Sequence, residues 1–215
     1  MPAFELNPAE TKIDESLIKL SVSIDAFESY SHPHAPRIAA LSDAIAQKLN
    51  LGSHDRFSLR QAALVHDLGE AVMKRNYIKR GSLLTEEERL DMMRHPVIGE
   101  QEAAKRGLNR VVQLIVRWHQ EWWNGEGYPD GLRREQIPLA ARILRVTDTY
   151  CALTDNRPFA PAVSGPEAKK HLAQWAGLEL DPFIVHVFFS LSPEMPELKS
   201  YEDGNNTGQQ VNRRS

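Results

Sequence analysis

Cysteine occurs once, at Cys151, so the chain cannot close an internal disulfide, which suits a reducing compartment. Net positive charge is missing too: 26 Lys and Arg stand against 29 Asp and Glu, a balance of −3. No overall basic field therefore draws in duplex nucleic acid or an anionic membrane. No apolar run approaches the ~18 residues that cross a bilayer. The opening MPAFELNPAETKIDES lacks the basic-then-apolar order of a secretory signal. Convincing period-2 strands and internal repeats are absent as well. These absences point to a soluble, cytoplasmic, all-α protein. What remains is an ordinary globular balance, 41% hydrophobic and 26% charged over 215 residues. A chain of that length buries roughly 70% of its unfolded surface, which is enough for one large domain with short extensions.

After a polar lead-in of twelve residues, an imperfect apolar stripe at Ile13, Leu17, Leu20, Val22, Ile24 and Phe27 predicts a first helix. SYSHPHAP breaks it, and Pro36 opens a second helix over 36–50 that Gly52 ends. A third runs from about Ser58 to Gly69. Beyond a basic connection over 71–84, Thr85 and Glu88 have the form of a capping box. That helix should stop near His95, because Pro96 disfavours helical geometry before it and can open the next helix, closed by Gly107. Further helices are predicted over 109–120, 139–155, 165–176 and 181–190, with a loop of turn formers over 124–131. The end, YEDGNNTGQQVNRRS, reads as disordered. The expected layout is an N-terminal helical extension over 1–29, one helical-bundle domain over 30–192 and a flexible tail over 193–215.

Five places along this chain put a histidine or carboxylate at a helix end or beside a break: His34, the pair His66-Asp67, His95, His119 and Asp148. Their spacing suits successive antiparallel helices that each return a ligand to one end of a bundle. Imidazole nitrogen with carboxylate oxygen suits Mn, Fe, Ni or Zn better than calcium. Neighbours on a helix point about 100° apart, so His66 and Asp67 can share a cluster only at a helix end or bend, which Gly69 would supply. Asp67 has two oxygens and could bridge two metals. Paired metals lower the pKa of a bound water toward ~7 and neutralise developing phosphate charge, so the constellation points to phosphoester hydrolysis.

His34-x-x-Arg37-Ile38, His66-Asp67-Leu68-Gly69, His95-Pro96, His119-x-Glu121, Gly127-Tyr128-Pro129 and Asp148-x-Tyr150-x-Ala152-Leu153 resemble the HD-GYP subgroup of the HD-domain metal-dependent phosphohydrolases. Arg157-Pro158-Phe159 and Asp181-Pro182 extend the likeness, which covers about residues 30–190. The resemblance implies an all-helical HD fold and hydrolysis of cyclic di-GMP, or a related nucleotide, by a metal-bound hydroxide. It also implies a centre of two or three divalent ions with His34, His66, Asp67, His95, His119 and Asp148 as ligands and Asp67 bridging. Tyr128 and Arg157 become candidates for substrate contact, Arg157 through a bidentate phosphate pair. Their plain alternatives are a rigid turn and a clasp on Asp155 or Asp181.

Three positions depart from the family pattern. His119-Gln120 stands where two histidines are usual, so one metal should be held more weakly or completed by water, with Gln120 as an outer hydrogen-bonding group. Tyr30 stands where three-metal members carry glutamate, which favours two metals. Glu70 stands where lysine is usual. His66-Asp67-x-x-Glu70 is also similar to single-metal HD nucleotidases, where that glutamate acts as acid or base near the attacking water. The alternatives are thus a monophosphatase using Glu70 and a signalling or binding module with little turnover. No sensor domain is visible, so regulatory input is expected either from elsewhere, such as a regulatory protein partner, or from the N-terminal helix.

Overall fold

Helix boundaries decide where the candidate ligands sit. The structure, a computed structural model, describes residues 13–80, 82–157 and 161–191. The lead-in, the Pro158-Phe159 pair and the expected tail over 193–215 lie outside the described residues. Among the described residues, ten α-helices and short 3-10 turns follow one another with no sheet, so the fold is an all-α bundle. The helices are α1 (Glu15–Phe27), α2 (His34–Lys48), α3 (Ser53–Leu64), α4 (Leu68–Met73), α5 (Glu86–Met92), α6 (His95–Lys105), α7 (Arg110–Trp118), α8 (Leu139–Thr154), α9 (Gly165–Trp175) and α10 (Pro182–Phe189). None is long and apolar enough to cross a membrane.

Most boundaries follow local chemistry. Thr85 accepts from Glu88 N while the Glu88 carboxylate accepts from Thr85 N, so α5 starts on the predicted box. Asn109 caps α7 and Asp181 caps α10 through their side-chain oxygens. Two boundaries differ from expectation. α2 begins at His34 rather than Pro36 and has no cap of its own. Instead the Asp25 carboxylate on α1 accepts from the backbone N–H groups of His34 and Ala35, at 2.9 and 3.1 Å. The expected third helix is two: α3 ends at Leu64, Val65–Asp67 turn, and α4 begins at Leu68. The bend thus precedes Gly69, which lies inside α4 and has another use. A Cβ there would fall 1.9 Å from the His95 carbonyl oxygen, so glycine lets α4 lie directly on α6.

The core is formed where α2, α3 and α8 cross. Ile38, Leu41 and Ile45 of α2 meet Leu59, Ala62 and Ala63 of α3 and Ile143 and Leu144 of α8, all of them buried. Burying each larger side chain contributes about 1.5–3 kcal/mol. Ser42 and Thr147 share a buried hydrogen bond of 2.7 Å that pins α2 to α8. α10 closes one side with Ile184 and Phe188, the latter ring against Tyr150. α6 and α7 pack as a second pair, and this leaves the ends of α3, α5 and α7 and the middle of α8 around one buried polar spot.

Candidate metal centre

Three histidines hang from helix C-termini by the same device. The last carbonyls of a helix have no partner within it. His66 Nδ1 donates to Ala63 O at 2.9 Å, His95 Nδ1 to Met92 O at 2.8 Å, and His119 Nδ1 to Val116 O at 2.7 Å. A carbonyl can only accept, so each neutral ring carries its proton on Nδ1 and turns a bare Nε2 lone pair inward. His34 reaches the same state from a helix start. Its Nδ1 lies 2.6 Å from Asp155 Oδ2, and Asp155 is itself held by Arg37. This orientation through the distal nitrogen is how ligating imidazoles are fixed.

The Nε2 atoms converge with two carboxylates into two groups, each with ligand atoms within 4.8 Å of one another: His34, His66 and Asp148, and Asp67, His95 and His119. Asp148 Oδ1 lies 3.7 Å from Nε2 of both His34 and His66. Asp67 Oδ1 lies 3.4 Å from Nε2 of both His95 and His119, and its Oδ2 lies 3.0 Å from His66 Nε2, so Asp67 touches both groups. His34 Nε2, His66 Nε2 and Asp67 Oδ1 are buried without a hydrogen-bond partner. His95 Nε2 and His119 Nε2 face each other at 3.3 Å, lone pair to lone pair. Left so, each orphaned group would cost about 1–3 kcal/mol. A divalent cation in each group would satisfy them, and the N/O donor set fits a first-row transition metal.

The charge balance agrees. Burial alone would lower the His66 pKa, but Asp67 and Asp148 outweigh it and pull it up to about 10. Burial drives His95 down to about 4 against the pull of Asp67. Burial, then repulsion by Asp67, raises Glu70 well above the usual carboxylate range. With no cation, His66 is therefore protonated at neutral pH, and a metal must displace that proton. Its folded pKa lies above its ordinary 6.5, so this charge stabilises the metal-free fold fully below that value and is lost as pH rises through about 10. Titrating metal into stripped protein at pH 8, in buffers of different ionisation enthalpy, should release about one proton or more, with affinity still rising toward pH 10. Binding without proton release would remove His66 from the ligand set.

The three residues after α7 fan out because the helix has ended. His119 turns inward. Gln120 turns its Oε1 to Arg145, accepting from Nη1 at 2.6 Å. Glu121 accepts the backbone N–H groups of Asp130 and Leu132 and so anchors the loop over 124–131. Arg117 and Trp118 grip the Asp130 carboxylate from α7. This fixes Tyr128, whose ring stands edge-on to His95 with centroids 6.0 Å apart. Tyr30 stacks on His34 at 3.7 Å, and the Arg157 guanidinium lies 5.1 Å over the Tyr30 ring. Glu70 Oε1 sits 3.9 Å from His95 Nδ1.

Sequence reasoning missed Glu28, the last residue of α1's turn. It is buried, its Oε1 has no partner, and burial plus Asp67, Glu70, Asp25 and Asp148 push its carboxyl well up. It also missed Asp155 as the His34 holder, although seven residues after Asp148 is the same helix face two turns on.

A family model described as HD domain matches residues 20–184, and the chain belongs to that family. It is 33% identical to RpfG, a cyclic di-GMP phosphodiesterase response regulator of Xanthomonas campestris, over 84% of this chain and 48% of that one. Among solved structures, a HDG"Y"P protein from Bdellovibrio bacteriovorus matches with a TM-score of 0.61 at 25% identity, covering 72% of this chain and 50% of the other. A cyclic GMP-AMP specific phosphodiesterase of Vibrio cholerae shares the fold with a TM-score of 0.69 at 20% identity, covering 93% and 53%. The chain thus spans about half the length of such relatives.

Proposed function

We propose that this protein hydrolyses a phosphodiester bond of a cyclic dinucleotide, cyclic di-GMP or a close relative such as cyclic GMP-AMP, at a centre of two divalent ions. The observation that carries the reading is the double cluster, three ligand atoms on each side with Asp67 between them. Likeness to RpfG and to the Vibrio enzyme supports the substrate class. The ions, when bound, would supply Lewis acidity and a water deprotonated near neutral pH. His34, His66 and Asp148 would hold one and His95 and His119 the other, with Asp67 shared. Glu70, whose carboxyl burial and Asp67 raise well above the usual range in the metal-free site, would serve as acid or base beside the centre. Arg157 and Tyr128 would receive the substrate, Arg157 by pairing with a phosphate. The free buried thiol of Cys151 supports a reducing, cytoplasmic setting. Control would come from a protein partner.

The test is elemental analysis of the purified protein, followed by turnover assays with Mn, Fe, Ni and Zn. Cyclic di-GMP, cyclic GMP-AMP, bis(p-nitrophenyl) phosphate and nucleoside monophosphates should all be offered. Cyclic dinucleotide cleavage that stops with chelator is the expected result; metal-loaded protein inert toward every diester would end the reading. The buried Glu70 beside His95 favours one second reading, monophosphate release, which Glu70→Ala should abolish with metal content intact.

A further inference from the structure

Arg145 has no role in the readings above, yet it is built into the rim of the site. It lies on α8 one turn before Asp148, with its side chain only 14% exposed. Nη1 donates to Gln120 Oε1 at 2.6 Å and lies 3.8 Å from Asp148 Oδ2; Nη2 donates to Glu179 Oε1. Asp148 turns its other oxygen toward His34 and His66, so the guanidinium backs one ligand group. Gln120 directly follows His119, so the same guanidinium is tied to the segment that carries a ligand of the other group. Two acceptors on separate segments, one just after α7 and one just before α10, fix the cation behind Asp148 and next to the segment that carries His119.

Guanidinium carries five N–H donors. Two are used in these bonds, and Nε is buried without a partner. The Glu179 carboxylate balances the charge, but Gln120 is neutral and adds aim rather than neutralisation. An amide is a poor transition-metal ligand, and this one has its oxygen committed to Arg145. A tetrahedral anion lying across both groups would place its non-bridging oxygens along the seam between them, where a preorganised cation is worth most.

We propose that Arg145, aimed by Gln120 and Glu179, is a phosphate-binding residue that contacts the scissile phosphoryl group of the substrate; the proposal rests on the phosphodiesterase reading of the site. A residue that only braced α8 against the α9–α10 connection would change stability without changing anion affinity.

The test uses the full chain loaded with Mn. Metal content is measured by elemental analysis, inorganic phosphate affinity by calorimetry, and KM and kcat with cyclic di-GMP. Arg145→Ala should weaken phosphate binding about tenfold to a hundredfold, as expected for a lost charge-assisted hydrogen bond, with metal content unchanged. KM should rise by a similar factor, and Arg145→Lys should recover part of the loss. Gln120→Ala keeps the charge and removes the aim, so it should weaken phosphate by about threefold to tenfold. Unchanged phosphate affinity in Arg145→Ala, or a loss that follows lost metal, overturns the proposal. If Arg145→Ala does not fold, Gln120→Ala with wild-type phosphate affinity overturns it instead. Phosphate binding is read without turnover, so a protein that binds phosphate through Arg145 but cleaves no diester would sink the phosphodiesterase reading alone.

Discussion

On the proposed two-metal phosphodiesterase reading, Asp67→Asn should lower kcat/KM on a cyclic dinucleotide by on the order of a thousandfold or more, which is about 4 kcal/mol of transition-state stabilisation. The substitution keeps shape and volume and removes one charge, so the effect is electrostatic. Asp67 is placed against both groups: Oδ2 is 3.0 Å from His66, and Oδ1 is 3.4 Å from His95 and His119. An amide cannot offer two anionic oxygens to two cations, so metal content should fall together with rate. His66 should lose the larger part of its upward pull and keep that of Asp148, so fewer protons should be released on metal binding. Steady-state kinetics paired with elemental analysis checks this. A variant with full metal and only a raised KM would show that Asp67 binds substrate and does not join the two halves.

Gly69→Ala should destabilise the fold by about 3 kcal/mol or more, although alanine ordinarily gains about 1 kcal/mol over glycine within a helix. The sign inverts because the new methyl would lie 1.9 Å from the His95 carbonyl oxygen and 2.7 Å from its carbonyl carbon. Both contacts are backbone, so no side chain can swing away. Either α4 or α6 must move, and α6 begins with His95 itself. Denaturant unfolding measures the first effect, and metal affinity of whatever folds measures the second. A variant as stable as the parent, with full metal, would contradict the close contact between α4 and α6.

What the sequence revealed depends on how far apart the interacting residues are. The capping box at Thr85 and Glu88 is local and could be read directly. A bend between His66 and Asp67 was required by helix geometry, but its cause was misread. Glycine marks both helix ends and close packing, and only the neighbouring His95 carbonyl distinguishes them at Gly69. The start of α2 was misplaced because its cap, Asp25, sits nine residues back on another helix. Gln120 could be recognised as a poor ligand from its chemistry, whereas its partner Arg145 lies 25 residues away and needed the fold. Glu28 gave no signal, since one carboxylate after an amphipathic helix usually faces water.

The imidazoles suspended from terminal carbonyls also set a limit on chain length. Adding or deleting one residue within α3, α5 or α7 would swing the attached ring by about 100° and carry its nitrogen off the centre. Those three segments therefore tolerate neither insertion nor deletion ahead of the ring.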